Sequence, residues 1–413
     1  MTAAPGSRAL VLSPEAPFPA IGGGALRTAS LLEYLARANE VDLILFRQPD
    51  HPDPSALIPP HIRGRRLVLD LPRHSTDALS RFSRNAIRAL RGAPPLVDRF
   101  SGFESPIAQF LHGARYDIGV IEHFWCAPYV HRLRAVCKET WLDLHNVESM
   151  LQEREAAAAG PLAALGFRRF AESYRRMEAG LLPKFDVLLA ASVHDASLLR
   201  AVAPDCQIRI FPNTIPERKA PERVEEDVVM FSGNLAYRPN TEAVRYFASE
   251  IWPILRRRWP GLEWRIVGKN PEAIKRFVDP KDYIQCRGPV EDAILELSHA
   301  KAVVVPIQAG SGTRVKILEA WAAGAPVVST TLGAEGLEAV PGEHLLIADD
   351  PTEFAETVSA LLASEPLRRR IGAAGRLLYE QKFTWQAGWR ALDAGLPAHP
   401  APENAAAKPY TGI

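Results

Sequence analysis

Residues 303–329 read Val303-Val304-Val305-Pro306-Ile307-Gln308-Ala309-Gly310-Ser311-Gly312-Thr313-Arg314-Val315-Lys316-Ile317-Leu318-Glu319-Ala320-Trp321-Ala322-Ala323-Gly324-Ala325-Pro326-Val327-Val328-Ser329. A β-branched run, a glycine-rich turn, about three helical turns, Gly-x-Pro and a second β-branched run spell strand, loop, helix, strand, which is a parallel βαβ unit. Such units put their ligand at the carboxyl ends of the strands. Gly310 and Gly312 let backbone approach an anion closely, and the amides and dipole of a helix starting at Thr313 favour negative charge there. Arg314, Lys316 and Glu319 fall near that loop, so two cations and one carboxylate can face one ligand. The cations suit a diphosphate and the carboxylate suits the vicinal hydroxyls of a ribose. An ordinary βα connection with solvated charges is the competing reading.

The pattern Gly-Ser-Gly-Thr-Arg-x-Lys-x-x-Glu-Ala, then Ala-Gly-Ala-Pro-Val-Val and Gly333-Ala334-Glu335-Gly336-Leu337, resembles the donor site of family 4 glycosyltransferases, which have the GT-B fold. Within that group it most resembles the sugar transferases of bacterial exopolysaccharide clusters, over residues 228–385. The family carries two glutamates with seven residues between them. Glu319 matches the second, which contacts the nucleotide ribose; Ser311 stands at the position of the first, which contacts the donor sugar. The resemblance also implies that Gly23 and Gly24 line the cleft beneath the diphosphate, that the turn at Val290 flanks the nucleobase, and that His145 lies close to donor sugar and acceptor.

With 413 residues the chain is too long for one ordinary core and fits two domains. A hydrophobic fraction of 47% with 23% charged residues describes a globular protein, and a formal net charge of +1 gives no global field for nucleic acid. Cys126, Cys137, Cys206 and Cys286 lie far apart without C-x-x-C spacing, which argues against a disulfide framework and a zinc site. The apolar run after Arg8 stops at Ser13-Pro14, too early for a secretory leader, and no later segment approaches about eighteen apolar residues. The expected location is cytoplasmic, with peripheral contact at the inner membrane face as an option. That option comes from Arg81, Arg84, Arg88 and Arg91 interleaved with Phe82, Ile87 and Leu90, a basic amphipathic pattern that suits anionic lipid, or a solvated face above a normal core. Phe167-Arg168-Arg169-Phe170 and Tyr174-Arg175-Arg176 read the same two ways.

Along the chain, strand 9–13, helix 25–38 and strand 41–46 open an α/β domain. The intervening Gly22-Gly23-Gly24 lacks a dinucleotide fingerprint because position 27 is arginine. It is either a cleft wall or a plain turn. Strand 116–122, helix 127–138 and strand 140–144 follow, with His123 and His145 just beyond carboxyl ends, where side chains project toward a cleft or cap a helix. Asp143, His145 and Glu148 make a weak metal-ligand set. A helical stretch 151–182, strand 187–191 and strand 208–211 complete the first half. In the second, strand 228–231 ends in Ser232-Gly233-Asn234, and Arg238 is the cation nearest that turn; Asn240 reads as a helix cap.

The expected architecture is two Rossmann-like doubly wound domains facing across a cleft: an acceptor-side domain 1–214, a linker 215–227, a donor domain 228–380, a helix 381–396 crossing back to the first domain, and a tail 397–413 of proline- and alanine-rich sequence. The donor-binding candidates are Gly23, Gly24, Asn234, Arg238, Val290, Gly310, Ser311, Gly312, Thr313, Arg314, Lys316 and Glu319; the catalytic candidates are His145, with His123 as runner-up, and Glu319. Expected partners are a nucleoside-diphosphate sugar donor and a glycan or lipid-linked acceptor, with no metal and no cofactor. The expected activity is transfer of a sugar to a hydroxyl, with retention of anomeric configuration. The alternatives are a nucleotide-sugar epimerase of the same fold and, given Ser311, a catalytically impaired binding protein.

Overall fold

The structure is a computed structural model that describes residues 7–73, 77–310 and 315–395. Its first domain holds seven strands: β1 (Arg8–Ser13), β2 (Glu40–Arg47), β3 (Arg66–Asp70), β4 (Tyr116–Glu122), β5 (Cys137–Leu144), β6 (Val187–Ala190) and β7 (Gln207–Ile210). They form one parallel sheet in the order β3-β2-β1-β4-β5-β6-β7. The second domain holds β8 (Glu226–Ser232), β9 (Glu263–Val267), β10 (Ile284–Arg287), β11 (Ala300–Val305), β12 (Val327–Ser329) and β13 (Leu346–Ile347). These are also parallel, in the order β10-β9-β8-β11-β12-β13. Strand order reverses beside β1 and β4 in one sheet and beside β8 and β11 in the other. Loops leaving those pairs diverge and open a crevice at the carboxyl edge.

Burial on both faces explains why the strands are continuous apolar runs rather than alternating ones: Ala9 to Leu12 and Ala302 to Val305 are fully buried. Helices cover both faces, and Trp264 packs at a tilt against Phe247 and Trp252 in the second core, with ring centroids 4.6 and 5.9 Å apart. Helix Trp385–Asp393 returns to the first domain, where Trp389 Nε1 donates to the Ser30 carbonyl at 3.0 Å, Tyr34 donates to Asp393 at 2.7 Å, and Leu392 joins the first-domain core.

Three elements differ from the sequence expectation. The expected helix 127–138 is a 3-10 turn, Phe124–Tyr129, running into the short helix Val130–Arg134. Pro128 supplies no amide to a longer helix, and β5 takes residues from Cys137 onward because they pair with β4 from Tyr116. The expected helical stretch 151–182 is two helices, Glu148–Ala158 and Pro161–Leu181, divided at Gly160, with proline opening the second as its fixed φ allows. The stretch 63–99 contains β3, which the sequence did not announce, and helix Ala78–Arg91, which spans the basic amphipathic pattern of Arg81 to Arg91.

Candidate active site

In the first domain the site grows from the ends of β4 and β5. Glu122 is the last residue of β4, and Asp143 lies one residue before the end of β5. His123 turns the chain with φ 63, an uncommon conformation for a side-chain-bearing residue, held by its amide donating to the Asp143 carbonyl at 3.0 Å. His145 follows β5, and the two imidazoles stack with centroids 3.5 Å apart. His145 Nε2 lies 2.9 Å from Glu122 Oε2 and 3.5 Å from Asp143 Oδ2. Helix Gly23–Ala36 contributes Arg27, which is 1% exposed and donates through Nε to both Asp143 oxygens at 2.8 and 3.0 Å. Arg27 also donates to the Phe211 carbonyl and to Asn213. Thr28 donates to Glu122 Oε2 at 3.1 Å.

Electrostatics divide the two histidines. Burial alone would lower the His145 pKa, but its bonds to Asp143 and Glu122 raise it to about 9. Burial and the neighbouring His145 charge push His123 well down, so it is neutral, and neither of its ring nitrogens has a partner among the described residues. Burial and the Asp143 charge raise Glu122 to about 7. Asp143 is also penalised by burial, yet Arg27 and His145 hold it below the usual carboxylate range. Glu122, Asp143 and His145 offer three ligand atoms within 4.8 Å of one another. Since Asp143 already accepts from Arg27 and His145 bridges the carboxylates, this donor set works as an ion network whose cation is a fixed guanidinium. Asp143 and His145 were candidates from sequence; Glu148, the third, turns instead to Trp125, whose indole N–H donates to it at 3.1 Å.

The second half of the site lies at the ends of β8, β9, β10 and β11. Helix Val315–Ala322 carries Lys316, whose Nζ donates to Asn240 at 3.0 Å and stands 5.5 Å over the Phe231 ring. Half-buried Glu319 accepts from Ser232 Oγ at 3.5 Å, and burial, partly offset by Lys316, raises its pKa to about 7. Each of β8, β9 and β10 is followed at once by a glycine: Gly233, Gly268 and Gly288. A Cβ on Gly268 would lie 1.8 Å from the Gly233 carbonyl oxygen, and one on Gly288 would lie 2.0 Å from that of Gly268. Three turns therefore pack backbone on backbone along the carboxyl edge, with no side chain between them.

The halves face each other. Gly23 opens its helix with its Cβ position 3.6 Å from Val315 Cγ2, so the start of the second-domain helix stands over the first-domain glycine segment. Gly24 leaves room for Glu15 Oε2, 2.7 Å from its Cβ position, beside His123. Two ion pairs span the cleft: Arg154 to Glu335 at 2.6 and 2.9 Å, and Arg238 to Glu155 at 2.7 Å.

Of the residues singled out in the sequence, His145 and His123 come together, and Lys316 and Glu319 share one helix end. Gly310 is buried with φ 102, where glycine is favoured. Asn234 is exposed and accepts from Ala236 N and Asn270, so it shapes its own turn, while Asn240 meets Lys316. Arg238 reaches Glu155 rather than the group around Lys316. Val290 is half-buried against the second core. Ser311, Gly312, Thr313 and Arg314 lie outside the described residues. Sequence reasoning missed Arg27, Thr28 and Glu122. The signal for Arg27 was its place as the one charged residue between Leu26 and Leu32 of its helix, which calls for a buried carboxylate.

The family model for glycosyl transferases group 1 matches residues 226–364, from the first residue of β8 to just past helix Pro351–Ala363. A D-inositol 3-phosphate glycosyltransferase of Corynebacterium diphtheriae is 24% identical over 343 residues, covering 72% of this chain and 75% of that protein. Among solved structures, sucrose-phosphate synthase of Thermosynechococcus elongatus aligns with TM-score 0.65 and 20% identity over 94% of this chain and 97% of its own. Anabaena HepE in complex with UDP and glucose aligns with TM-score 0.60 and 13% identity over 94% and 98%. Residues 226–364 are thus a group 1 glycosyl transferase domain, and the chain is a glycosyltransferase of the GT-B fold.

Proposed function

We propose that the chain moves a glycosyl group from a nucleoside-diphosphate sugar on the second domain to a hydroxyl acceptor on the first, in polysaccharide or other glycoconjugate assembly. The bond from the anomeric carbon to the β-phosphate oxygen breaks while a bond to the acceptor oxygen forms on the same face. The hydroxyl proton passes to the departing phosphate, so configuration is retained and no metal is needed. Charge on the departing diphosphate is met by the helix start together with Lys316 and Arg314. Glu319 takes the ribose hydroxyls. Arg238, held by Glu155, joins them only on release. His145, positively charged and fixed by Glu122 and Asp143, orients the sugar or acceptor.

The observation that supports this is the 3.6 Å between the Cβ position of Gly23 and Val315 Cγ2, which sets the start of helix Val315–Ala322 against the glycine segment after β1. UDP in the HepE complex makes uridine diphosphate the first nucleotide to test. In a thermal-shift panel of UDP, GDP, ADP and their sugars, one diphosphate series should raise the melting temperature by mass action. Lys316→Ala should weaken that binding by about 1.5–3 kcal/mol, the worth of a charged hydrogen bond. A panel with no response, or equal affinity in the variant, refutes the assignment.

The reading extends to peripheral contact with an anionic bilayer. Ile87, Leu90, Leu162 and Leu165 are exposed on helices Ala78–Arg91 and Pro161–Leu181, which Arg169 ties together by donating to the Ala89 carbonyl. Exposed Arg91 and Arg168 accompany them. Phosphatidylglycerol vesicles should sediment the protein, and Leu90→Asp with Leu162→Asp should prevent it; equal sedimentation of parent and variant counts against the contact.

A further inference from the structure

Beside the two stacked histidines, at the carboxyl ends of β1, β2 and β3, the first domain holds an open cleft of about 490 Å³. Twelve of its seventeen lining residues are apolar, four of them prolines, and that composition decides what it can hold. A glycan would bury many hydroxyls, each needing a partner, and an unpartnered buried polar group costs about 1–3 kcal/mol. The polar side chains present are five: Glu15, Arg47, Gln48, His51 and Arg99. Arg47 is paired with Asp70 at 2.7 Å, and Gln48 accepts from Arg99 at 2.8 Å. Trp125 gives its single N–H to Glu148 and offers the cleft only ring surface.

Two features orient a ligand there. Half-buried Arg99 has Gln48 as its hydrogen-bond partner and no carboxylate within ion-pair distance among the described residues, so a cation remains to be answered. At the other feature the cleft meets the candidate active site: Trp125 stacks on His123 with centroids 4.2 Å apart, and Glu15 lies against Gly24 beside that same imidazole.

We infer that the acceptor is an acidic amphiphile, with an apolar body against Phe18, Leu57, Leu71, Leu96 and Trp125, an anionic group on Arg99, and its reacting hydroxyl toward Glu15 and His123. The inference rests on the acceptor side of the function proposed above. It concerns binding to the first domain and does not depend on which nucleotide the second domain holds.

The test is direct binding to the full chain by calorimetry, with decyl phosphate below its micellar threshold, inorganic phosphate, maltotriose and UDP as probes. Decyl phosphate should bind at one site, and inorganic phosphate and maltotriose should not. Leu57 is 54% exposed, so Leu57→Asp leaves the fold intact. That variant and Arg99→Gln should each weaken decyl phosphate about tenfold, or 1.4 kcal/mol, and leave UDP affinity unchanged. Equal decyl phosphate affinity in parent and both variants overturns the proposal, as does tighter binding of maltotriose than of decyl phosphate. Decyl phosphate binding as expected, with UDP failing to bind the parent, supports the cleft assignment and strikes the donor assignment alone.

Discussion

His145 sits between two carboxylates, Glu122 and Asp143, with Arg27 behind Asp143 and the neutral His123 ring against its face. Its pKa is raised from 6.5 to about 9, so the imidazolium stabilises the fold fully below pH 6.5 and that contribution is lost as pH rises through 9. Glu122, raised from 4.5 to about 7, has the same sign: its neutral form is favoured in the fold, and stability falls as pH climbs through 7. Melting temperature should therefore decline between pH 6.5 and 9, and His145→Asn should flatten the decline; a parallel curve in the variant would place the titration elsewhere. Turnover should fall in His145→Asn at unchanged UDP affinity, since the ring stands on the first domain. The position of His145 just past the end of β5 was legible in the sequence. Arg27 and Glu122 were not: their roles arise from partners 116 and 23 residues away, Asp143 and His145, which no local spacing encodes.

At the scale of elements, the row of glycines closing β8, β9 and β10 makes a firm prediction. A methyl group at Gly268 would meet backbone, the Gly233 carbonyl at 1.8 Å, and backbone cannot rotate aside as a flexible side chain does. Gly268→Ala should lower the melting temperature and weaken nucleotide binding together. Gly261→Ala, whose Cβ position has nothing within 4 Å, should change neither. Nucleotide affinity unaltered by Gly268→Ala would separate those turns from the donor site. The strands themselves were readable because both sheet faces are covered, so the buried strands are short apolar runs between turn residues. Helices were read less well where proline intervened: Pro128 shortens one and Pro161 begins another, and periodicity alone runs through both. Gly310 at φ 102 accords with its reading as a turn, and the bond from Lys316 to Asn240 was not legible because no local spacing joins residues 76 positions apart.

For the whole molecule, two parallel-sheet domains meet across a cleft bridged by partly solvated ion pairs. Arg154–Glu335 and Arg238–Glu155 both anchor on helix Glu148–Ala158, and His194 stands 3.9 Å from Glu335. None of these could be foreseen, because residues 181 and 83 positions apart are joined only once both domains exist. The pairs are partly solvated, with Arg238 54% exposed, so each contributes roughly 0.2–1 kcal/mol. Together they shift an opening equilibrium by between about twofold and thirtyfold. Arg154→Ala with Glu155→Ala should therefore enlarge the radius of gyration of the unliganded protein in small-angle scattering, and salt should produce a similar, smaller change in the parent by screening the same charges. Scattering curves that superimpose for parent and double variant, at low salt and without ligand, would show that core packing through helix Trp385–Asp393 fixes the cleft by itself and that the ion pairs are incidental.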